Sequence, residues 1–384
     1  MDAHGPFDAI VIGAGIAGAS VAHELAATRR VLLLERESQP GYHTTGRSAA
    51  LFTETYGNAV MRALTRASKA FLLGPPPGFA PTPLLAPRGA LLLAREDQLP
   101  ALQRAFDECS ALVGNLQWWT AEEVRARVPC FAAGQVAAGV LEPDAMDIDV
   151  HALHLGFVRG LRARGGEVRC NAEVRALHGD GGRWRVETSA GAFDATLLVN
   201  AAGAWADEVG ALAGARPLGL VPKRRTAITF DPPAGVSIER WPAVMDIDEQ
   251  WYFKPEAGRI LASPADETPS PPCDARPDEY DIAVLIDRLA AATTLQVPRI
   301  VARWAGLRSF VADKTIVAGF DDQVPGFFWL GGQGGYGIQT SPAVARAAAA
   351  LLRGEPMPAD MADLGIDAPA LSPRRLRPAA TEAT

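Results

Sequence analysis

The chain has 384 residues, 48% of them hydrophobic and 21% charged, which is enough for a large core and more than one domain. A formal net charge of −7, with basic clusters no larger than Lys223–Arg225 and Arg374–Arg377, excludes a nucleic-acid-binding surface. No stretch reaches the roughly 20 uninterrupted apolar residues of a membrane span, and MDAHGPFD lacks the basic segment of a secretion signal.

The segment Phe7–Arg36, FDAIVIGAGIAGASVAHELAATRRVLLLER, predicts a strand, a glycine turn, a helix and a second strand. Asp8–Ile12 and Val31–Leu34 are apolar strand runs, and Ile16–Thr28 repeats apolar residues at helical spacing. Gly13 permits the bend out of the strand, Gly15 lets backbone N–H groups approach a pyrophosphate, and Gly18 lets the helix pack closely on the sheet. The helix N-terminus then faces the phosphate charge. Glu35, 22 residues after Gly13, suits a ribose hydroxyl and disfavours a 2′-phosphate. The unit reads as a dinucleotide site; by itself it does not separate NAD from FAD.

The polar stretch after Glu35 predicts a loop running into a helix that begins near Arg47, where Gly46, Ser48, Ala49 and Ala50 would offer small side chains and free amides to a flat or anionic ligand. Val60–Leu73 predicts a helix, stopped by GPPPGFAPTP. Strands follow around a Pro87-Arg88-Gly89 turn within Leu84–Ala94, then helices at Glu96–Ser110 and Ala121–Arg127 and a strand at Gln135–Leu141. Asp149 reads as the N-cap of a helix to Arg164, followed by strands at Glu167–Cys170, Ala172–His178, Trp184–Thr188 and Phe193–Asn200. The last, ending in TLLVNAAGAW, repeats the strand-to-small-residue-turn design of the opening unit. Pro217–Phe230 and Val244–Pro264 read as the sheet of a second domain, with a helix from Tyr280 to Ala292. Strands at Arg299–Phe310, Ile316–Gly319 and Phe327–Leu330 lead to GGQGGYGIQT and a helix to Leu352. The tail from Ser372 is expected to fray. Cys109, Cys130, Cys170 and Cys273 lie far apart without metal-ligand spacing, so reduced thiols, a cytoplasmic setting and no metal site are expected.

Together VIGAGIAGAS…ER, HTTGRSAA, LLVNAAGAW, WAGLRSF and GGQGGYGIQT resemble, in order along the chain, the FAD-dependent D-amino-acid oxidase superfamily. GYHTTGRSAA, RPLGLVPKRRTAI, TTLQVPRIVARWAGLRSFVAD and LSPRR resemble most its bacterial D-arginine dehydrogenase branch. The resemblance implies an α/β fold: a discontinuous, Rossmann-like doubly wound FAD-binding domain of the glutathione-reductase type, interleaved with a β-rich substrate-binding domain. The corresponding division is 1–83, 149–214 and 300–371 for FAD, 84–148 and 215–299 for substrate, with 372–384 as a flexible tail.

The resemblance implies FAD rather than NAD. It places Gly13, Ala14, Gly15, Ile16, Ala17 and Gly18 at the pyrophosphate, Glu35 and Arg36 at the adenosine ribose, and Val174 by the adenine. Thr45, Gly46, Arg47, Ser48, Ala49 and Ala50, then Ala202, Gly203 and Trp205, complete the cofactor segments. Gly334, Gly335, Tyr336, Gly337 and Ile338 would face the flavin edge with a helix N-terminus that favours the anionic reduced ring. These flavin-facing segments contain no cysteine, and His43 reads as a structural or solvated loop residue, so non-covalent FAD is expected.

For the substrate, the resemblance implies a free D-amino acid. Arg225 and Arg308 would hold its carboxylate with Tyr252 and Tyr56, Gly335 would receive its amine through the backbone carbonyl, and Gln339 would line the pocket. Glu249 matches a mobile-lid position, and Leu51, Thr53 and Ala90 belong to the pocket wall. Where arginine-using relatives carry a glutamate and a histidine, this chain has Ala90 and Leu51, so neutral or apolar side chains are expected over D-Arg. The implied reaction is hydride transfer from Cα to flavin N5, giving an imino acid that hydrolyses to a 2-oxo acid and ammonia. A quinone, another carrier or O2 would be the electron acceptor, and peripheral association with an inner membrane is left open. The alternatives are an oxygen-using oxidase of glycine, sarcosine or another secondary amine, and a flavin-binding subunit without amine chemistry.

Overall fold

The computed structural model describes residues 5–180 and 182–377. Phe7–Ile12 runs parallel to Val31–Leu34 on one side and to Gly191–Asn200 on the other, and Glu167–Arg169 extends the sheet beyond Val31–Leu34. These strands are apolar on both faces because both faces are covered. Ala9, Val11, Val31 and Leu33 pack beneath the helices Ile16–Leu25, Val150–Ala163 and Gly337–Arg353. Ile10, Ile12, Leu32 and Leu34 face Trp184, Val186 and Val209. On its edge away from Phe7–Ile12, the ten-residue strand Gly191–Asn200 serves two neighbours: its first half pairs antiparallel with Arg183–Thr188, and its end runs parallel to Phe327–Gly331. The α/β, doubly wound architecture is as expected.

Among the described residues a second sheet of nine strands holds Val221–Phe230, Arg259–Ser263, Tyr252–Glu256, Ala243–Asp246, Ala90–Ala94, Ala138–Glu142 and Gln117–Thr120 in that spatial order, with Thr268–Pro269 and Ile300–Phe310 both paired to Val221–Phe230. One face carries Leu91, Leu93, Val244 and Phe253 against Leu285 and Leu289 of the helix Glu279–Ala292. Residues in the opposite phase, Ala90, Leu92, Val140, Glu142, Met245 and Tyr252, line a cavity.

Several expectations need correction. No helix begins near Arg47: Thr45–Arg47 is a single 3-10 turn, Leu51–Phe52 is a strand, and the helix is Ala59–Leu73, capped by Asn58, whose Oδ1 accepts from Met61 N–H. The strands expected around Pro87-Arg88-Gly89 are present and go to different sheets: Leu85–Pro87 pairs with Met146–Ile148, whereas Ala90–Ala94 joins the large sheet. Ile300–Phe310 pairs along its length with Val221–Phe230, so a boundary at residue 300 cuts the second sheet. The tail is docked at its start: Pro373–Leu376 forms a 3-10 turn, and Arg375 binds Asp313 and the Thr315 carbonyl. Residues 378–384 lie outside the described range. Asp149 does cap its helix, accepting from Ala152 N–H at 2.8 Å.

Candidate active site

The glycine turn is built by contact as much as by conformation. Gly13 has φ +98°, and a Cβ there would meet the Ala201 carbonyl oxygen at 2.6 Å. A Cβ on Gly18 would lie 1.8 Å from the Gly13 oxygen, so Gly18 keeps the helix against the turn itself. Glu35 is buried and accepts from Ala14 and Glu37 N–H, each at 3.0 Å; burial pushes its carboxyl up against those two bonds. Thr45 Oγ1 accepts from Ile16 N–H at 2.9 Å and so ties the 3-10 turn to the helix start.

A cavity of about 280 Å³ runs along this turn. Of the expected cofactor residues, Gly13, Gly15, Ile16, Ala17, Glu35, Arg36, Thr45, Arg47, Ser48, Ala49 and Val174 line it, as do Ala202, Gly203, Trp205, Gly334, Gly335, Gly337 and Ile338. Ala14, Gly18 and Gly46 support it from behind; a Cβ on Gly46 would strike the Gly41 oxygen at 2.7 Å. Ala50 and Tyr336 line the neighbouring cavity instead. The Arg47 guanidinium is turned away, bonded to the Ala275 and Ala305 carbonyls and to Asp274. Of the two readings for His43, structural or solvated, its contacts fit the first: half-buried, it lines the cleft, lies 4.7 Å from the Trp205 ring and meets Glu37 at 2.9 Å, and its Nδ1 is buried without a partner. The Ser309 hydroxyl, on the same wall, is also buried and unpaired. No side chain caps the first turn of Gly337–Arg353, which opens on this cleft.

A second cavity of about 420 Å³ adjoins the first. Ser48, Ala49, Arg225, Tyr252, Arg308, Gly335 and Ile338 belong to both walls and mark where the two meet. Strand pairing sets Arg225 opposite Gly306 and Lys223 opposite Arg308, so the two arginines lie diagonally on one face of neighbouring strands. Arg225 spends Nε on the Asp266 carbonyl at 2.9 Å and Nη2 on Glu267 at 3.3 Å. Burial, and then the like charge of Arg308, lower its pKa. Arg308 makes one long contact, Nη1 to Tyr56 Oη at 3.4 Å, and no ion pair among the described residues. Its charge is opposed by burial, but the Tyr56 and Tyr252 oxygens and the Glu249 and Glu267 carboxylates outweigh that and raise its pKa. Two cations converging with donors to spare are arranged for an anion.

Gly335 sits against this pair; a Cβ there would lie 3.0 Å from Arg308 Nη1 and 3.3 Å from Tyr56 Oη. Gln339 is buried with both ends of its amide engaged: Oε1 accepts from Thr53 N–H at 3.1 Å and Nε2 donates to Thr65 Oγ1 at 2.9 Å. It therefore straps the 51–55 segment to the helix Gly337–Arg353. Glu249 lines the second cavity at φ +54°, in a turn whose Asp248 and Gln250 amides are pinned to Asp246.

Leu51, Thr53 and Ala90 line the same space, together with residues the motifs do not reveal: Leu92, Val140, Ala243, Met245 and Glu142. Glu142 is the main omission. Its only signal in the sequence is strand alternation, which puts it in phase with Ala138 and Val140 at the end of an apolar run.

A doubly wound sheet whose glycine turn and buried acid line one cleft, adjoining a cavity with two converging arginines, is the architecture of a dinucleotide-binding protein. Residues 8–351 match the DAO family, described as FAD dependent oxidoreductase, and the chain belongs to that family. L-2-hydroxyglutarate dehydrogenase of Escherichia coli is 30% identical over 224 residues, 55% of this chain and 51% of that protein. Human mitochondrial dimethylglycine dehydrogenase is 28% identical over 145 residues, 37% of this chain and 17% of that one, so the chain spans about half or less of these two relatives. Glycine oxidase of Geobacillus kaustophilus is 23% identical over 88% of this chain and 90% of its own; its crystal structure superposes with a TM-score of 0.81, at 22% identity over 92% of this chain and 96% of that one. L-amino acid deaminase of Proteus vulgaris gives a TM-score of 0.79 at 17% identity, over 96% and 97% of the two chains.

FAD is the cofactor of the family, and the first cleft fits it. The fit rests on the Gly13–Gly18 cradle, the Glu35 carboxylate, and the unpaired His43 Nδ1 and Ser309 hydroxyl. Among the described residues no helix is long and apolar enough to cross a membrane.

Proposed function

We propose that the protein is an FAD-dependent D-amino acid dehydrogenase that oxidises free D-amino acids with neutral side chains to imino acids, which water converts to 2-oxo acids and ammonia. The observation that carries this reading is the convergence of Arg225 and Arg308 where the two cavities meet. Arg308, with donors unspent, takes the substrate carboxylate; Arg225, Tyr56 and Tyr252 complete the clamp. The Gly335 carbonyl takes the amine. FAD, when bound, supplies the acceptor for the hydride lost from Cα. The chain's own contribution is orientation and exclusion of water, and an amine bound neutral needs no side-chain base at Cα. The D configuration is supported by the motif resemblance to the D-arginine dehydrogenase branch.

Side-chain choice follows from the wall. Leu51, Ala90, Leu92, Val140, Ala243 and Met245 form an apolar surface. Glu142 does not restore the acid missing at Ala90. Its Oε2 already accepts from Thr53 and Thr55 and its Oε1 from Glu54 N–H, each at 2.7 Å, so it has no free two-oxygen edge for a guanidinium. The likeness to glycine oxidase supports a second reading, an oxygen-using oxidase of glycine or a secondary amine such as sarcosine. Against it, a space of about 420 Å³ is far larger than such substrates fill.

The deciding experiment is an anaerobic screen of D- and L-amino acids, glycine and sarcosine for flavin bleaching, followed by admission of air. Bleaching by D-amino acids with slow recovery in air is expected, which would make a quinone or another carrier the acceptor. Bleaching confined to glycine or sarcosine defeats the proposal, and no bleaching by any of them leaves a flavin-binding protein without amine chemistry. Unpaired thiols at Cys109, Cys130, Cys170 and Cys273 fit a reducing cytoplasm. Backbone cradling without a cysteine at the cleft fits non-covalent FAD, so acid precipitation should leave the yellow colour in the supernatant; colour in the pellet would contradict this.

A further inference from the structure

Four carboxylates are buried among the described residues: Glu35, Glu142, Asp246 and Asp321. Asp246 has Arg95 at 3.7 Å and Asp321 has Arg377 at 3.4 Å. Glu35 and Glu142 have no cation within ion-pair distance, and each lines a cavity. A buried carboxylate without a cation is costly unless hydrogen-bond donors surround it. Glu35 has two protein donors and stands where the ribose hydroxyls are expected. Glu142 has three, and is only 4% exposed. A carboxylate offers about four acceptor positions, so roughly one remains at Glu142.

We infer that Glu142 is a side-chain-recognition residue that accepts one hydrogen bond from a neutral N–H donor at the end of the substrate side chain, selecting carboxamide-bearing substrates over hydrocarbon or thioether ones of equal length. This rests on the reading of the second cavity as the amino acid site. Position supports it. Glu142 stands directly opposite Ala90 on the adjacent strand, in phase with Val140, Leu92 and Met245. From the strand of Tyr252, which lines both cavities, to that of Glu142 is three strand spacings, roughly 14 Å across the sheet, a span that the Tyr252 and Glu142 side chains fill together with a substrate side chain several atoms long. Ala90 keeps the space before the carboxylate open. Thr53 donates its hydroxyl to Glu142 but its backbone N–H to Gln339, so the bond that ties this segment to the helix opening beside the arginines is separate from the one made by Glu142.

The test uses holoenzyme and two substrates of similar length, D-Gln and D-Met, in wild type, Glu142→Gln and Glu142→Asp, with anaerobic flavin reduction as the readout. Glu142→Gln leaves one acceptor oxygen for which the loop donors compete; Glu142→Asp keeps the charge but withdraws it from the cavity. In both, the D-Gln to D-Met ratio of kcat/KM should fall at least about tenfold, through KM for D-Gln, with D-Met changed less than about threefold and FAD content unchanged. Should Glu142→Gln fail to fold, Glu142→Asp carries the comparison. A ratio within about twofold of wild type, or an equal loss on both substrates, makes Glu142 only the anchor of the 53–55 loop and overturns the inference while leaving the proposed reaction standing. If neither D-amino acid bleaches the wild-type flavin, the proposed reaction fails and this inference fails with it.

Discussion

Replacing Arg308 with methionine removes the guanidinium while keeping much of its stem. The structure sets the size of the effect by what Arg308 does not do. It has no ion pair among the described residues and one contact of 3.4 Å to Tyr56 Oη, so its donors are free for a ligand, whereas Arg225 is already bonded to the Asp266 carbonyl and Glu267. Losing one partner of a desolvated charge pair costs about 2–5 kcal/mol, or roughly 30- to 5,000-fold in kcat/KM. Arg225→Met should fall at or below the lower figure, because that guanidinium is partly spent on the protein. Stability should move little: the bond lost is 3.4 Å long, worth about 1 kcal/mol, or no more than about 2–4 °C in Tm, since a chain larger than about 250 residues shifts less per kcal/mol. Stopped-flow flavin reduction with D-amino acids measures the first quantity and thermal melting the second. If Arg308→Met turns over within about threefold of wild type, or loses activity only in step with a large fall in Tm, the carboxylate clamp is wrongly assigned.

Ala90→Glu sets a second carboxylate directly opposite Glu142, with Cβ atoms about 5 Å apart. It should raise kcat/KM for D-Arg by about tenfold or more; unchanged D-Arg turnover would contradict the wall geometry. Gly335→Ala should retain FAD but lose about 100-fold in kcat/KM, because its Cβ lies 3.0 Å from Arg308 Nη1, whereas Gly18→Ala, whose Cβ meets the Gly13 oxygen at 1.8 Å, should fail to retain FAD; absorbance ratios of the purified variants distinguish the two. His23 is held down to about 4, first by burial and then by the Arg164 charge, against 6.5 when free. Its contribution is therefore full above about pH 6.5 and lost as pH falls towards 4, about 2 kcal/mol after allowance for partial solvent access. His23→Leu should accordingly show a smaller Tm difference between about pH 7.5 and about pH 4.5 than wild type, and an equal difference would refute the assignment.

Features controlled by short-range geometry were legible before any fold was known. The Gly13–Gly18 turn, the Asp149 cap and the apolar runs of Phe7–Ile12 and Val31–Leu34 each depend on neighbours within a few residues or on a strand buried on both faces, and each is present as read. The family motifs extended this to the fold and to the residues lining both cavities. The helix expected near Arg47 failed because small residues are compatible with an extended chain, and here Leu51–Phe52 is claimed as a strand by Met146–Ile148, far along the sequence. Ile300–Phe310 went to the second sheet because pairing with Val221–Phe230 satisfies its backbone, a choice invisible in its own composition. The arginine pair arises in the same way: Arg225 and Arg308 become neighbours only through the register of those two strands. Tertiary structure alone also decided the pocket wall. Ala90 read as the loss of an acid, yet the pairing of Ala90 with Glu142 sets a carboxylate beside it, because strand register, not sequence distance, determines which side chains share a face.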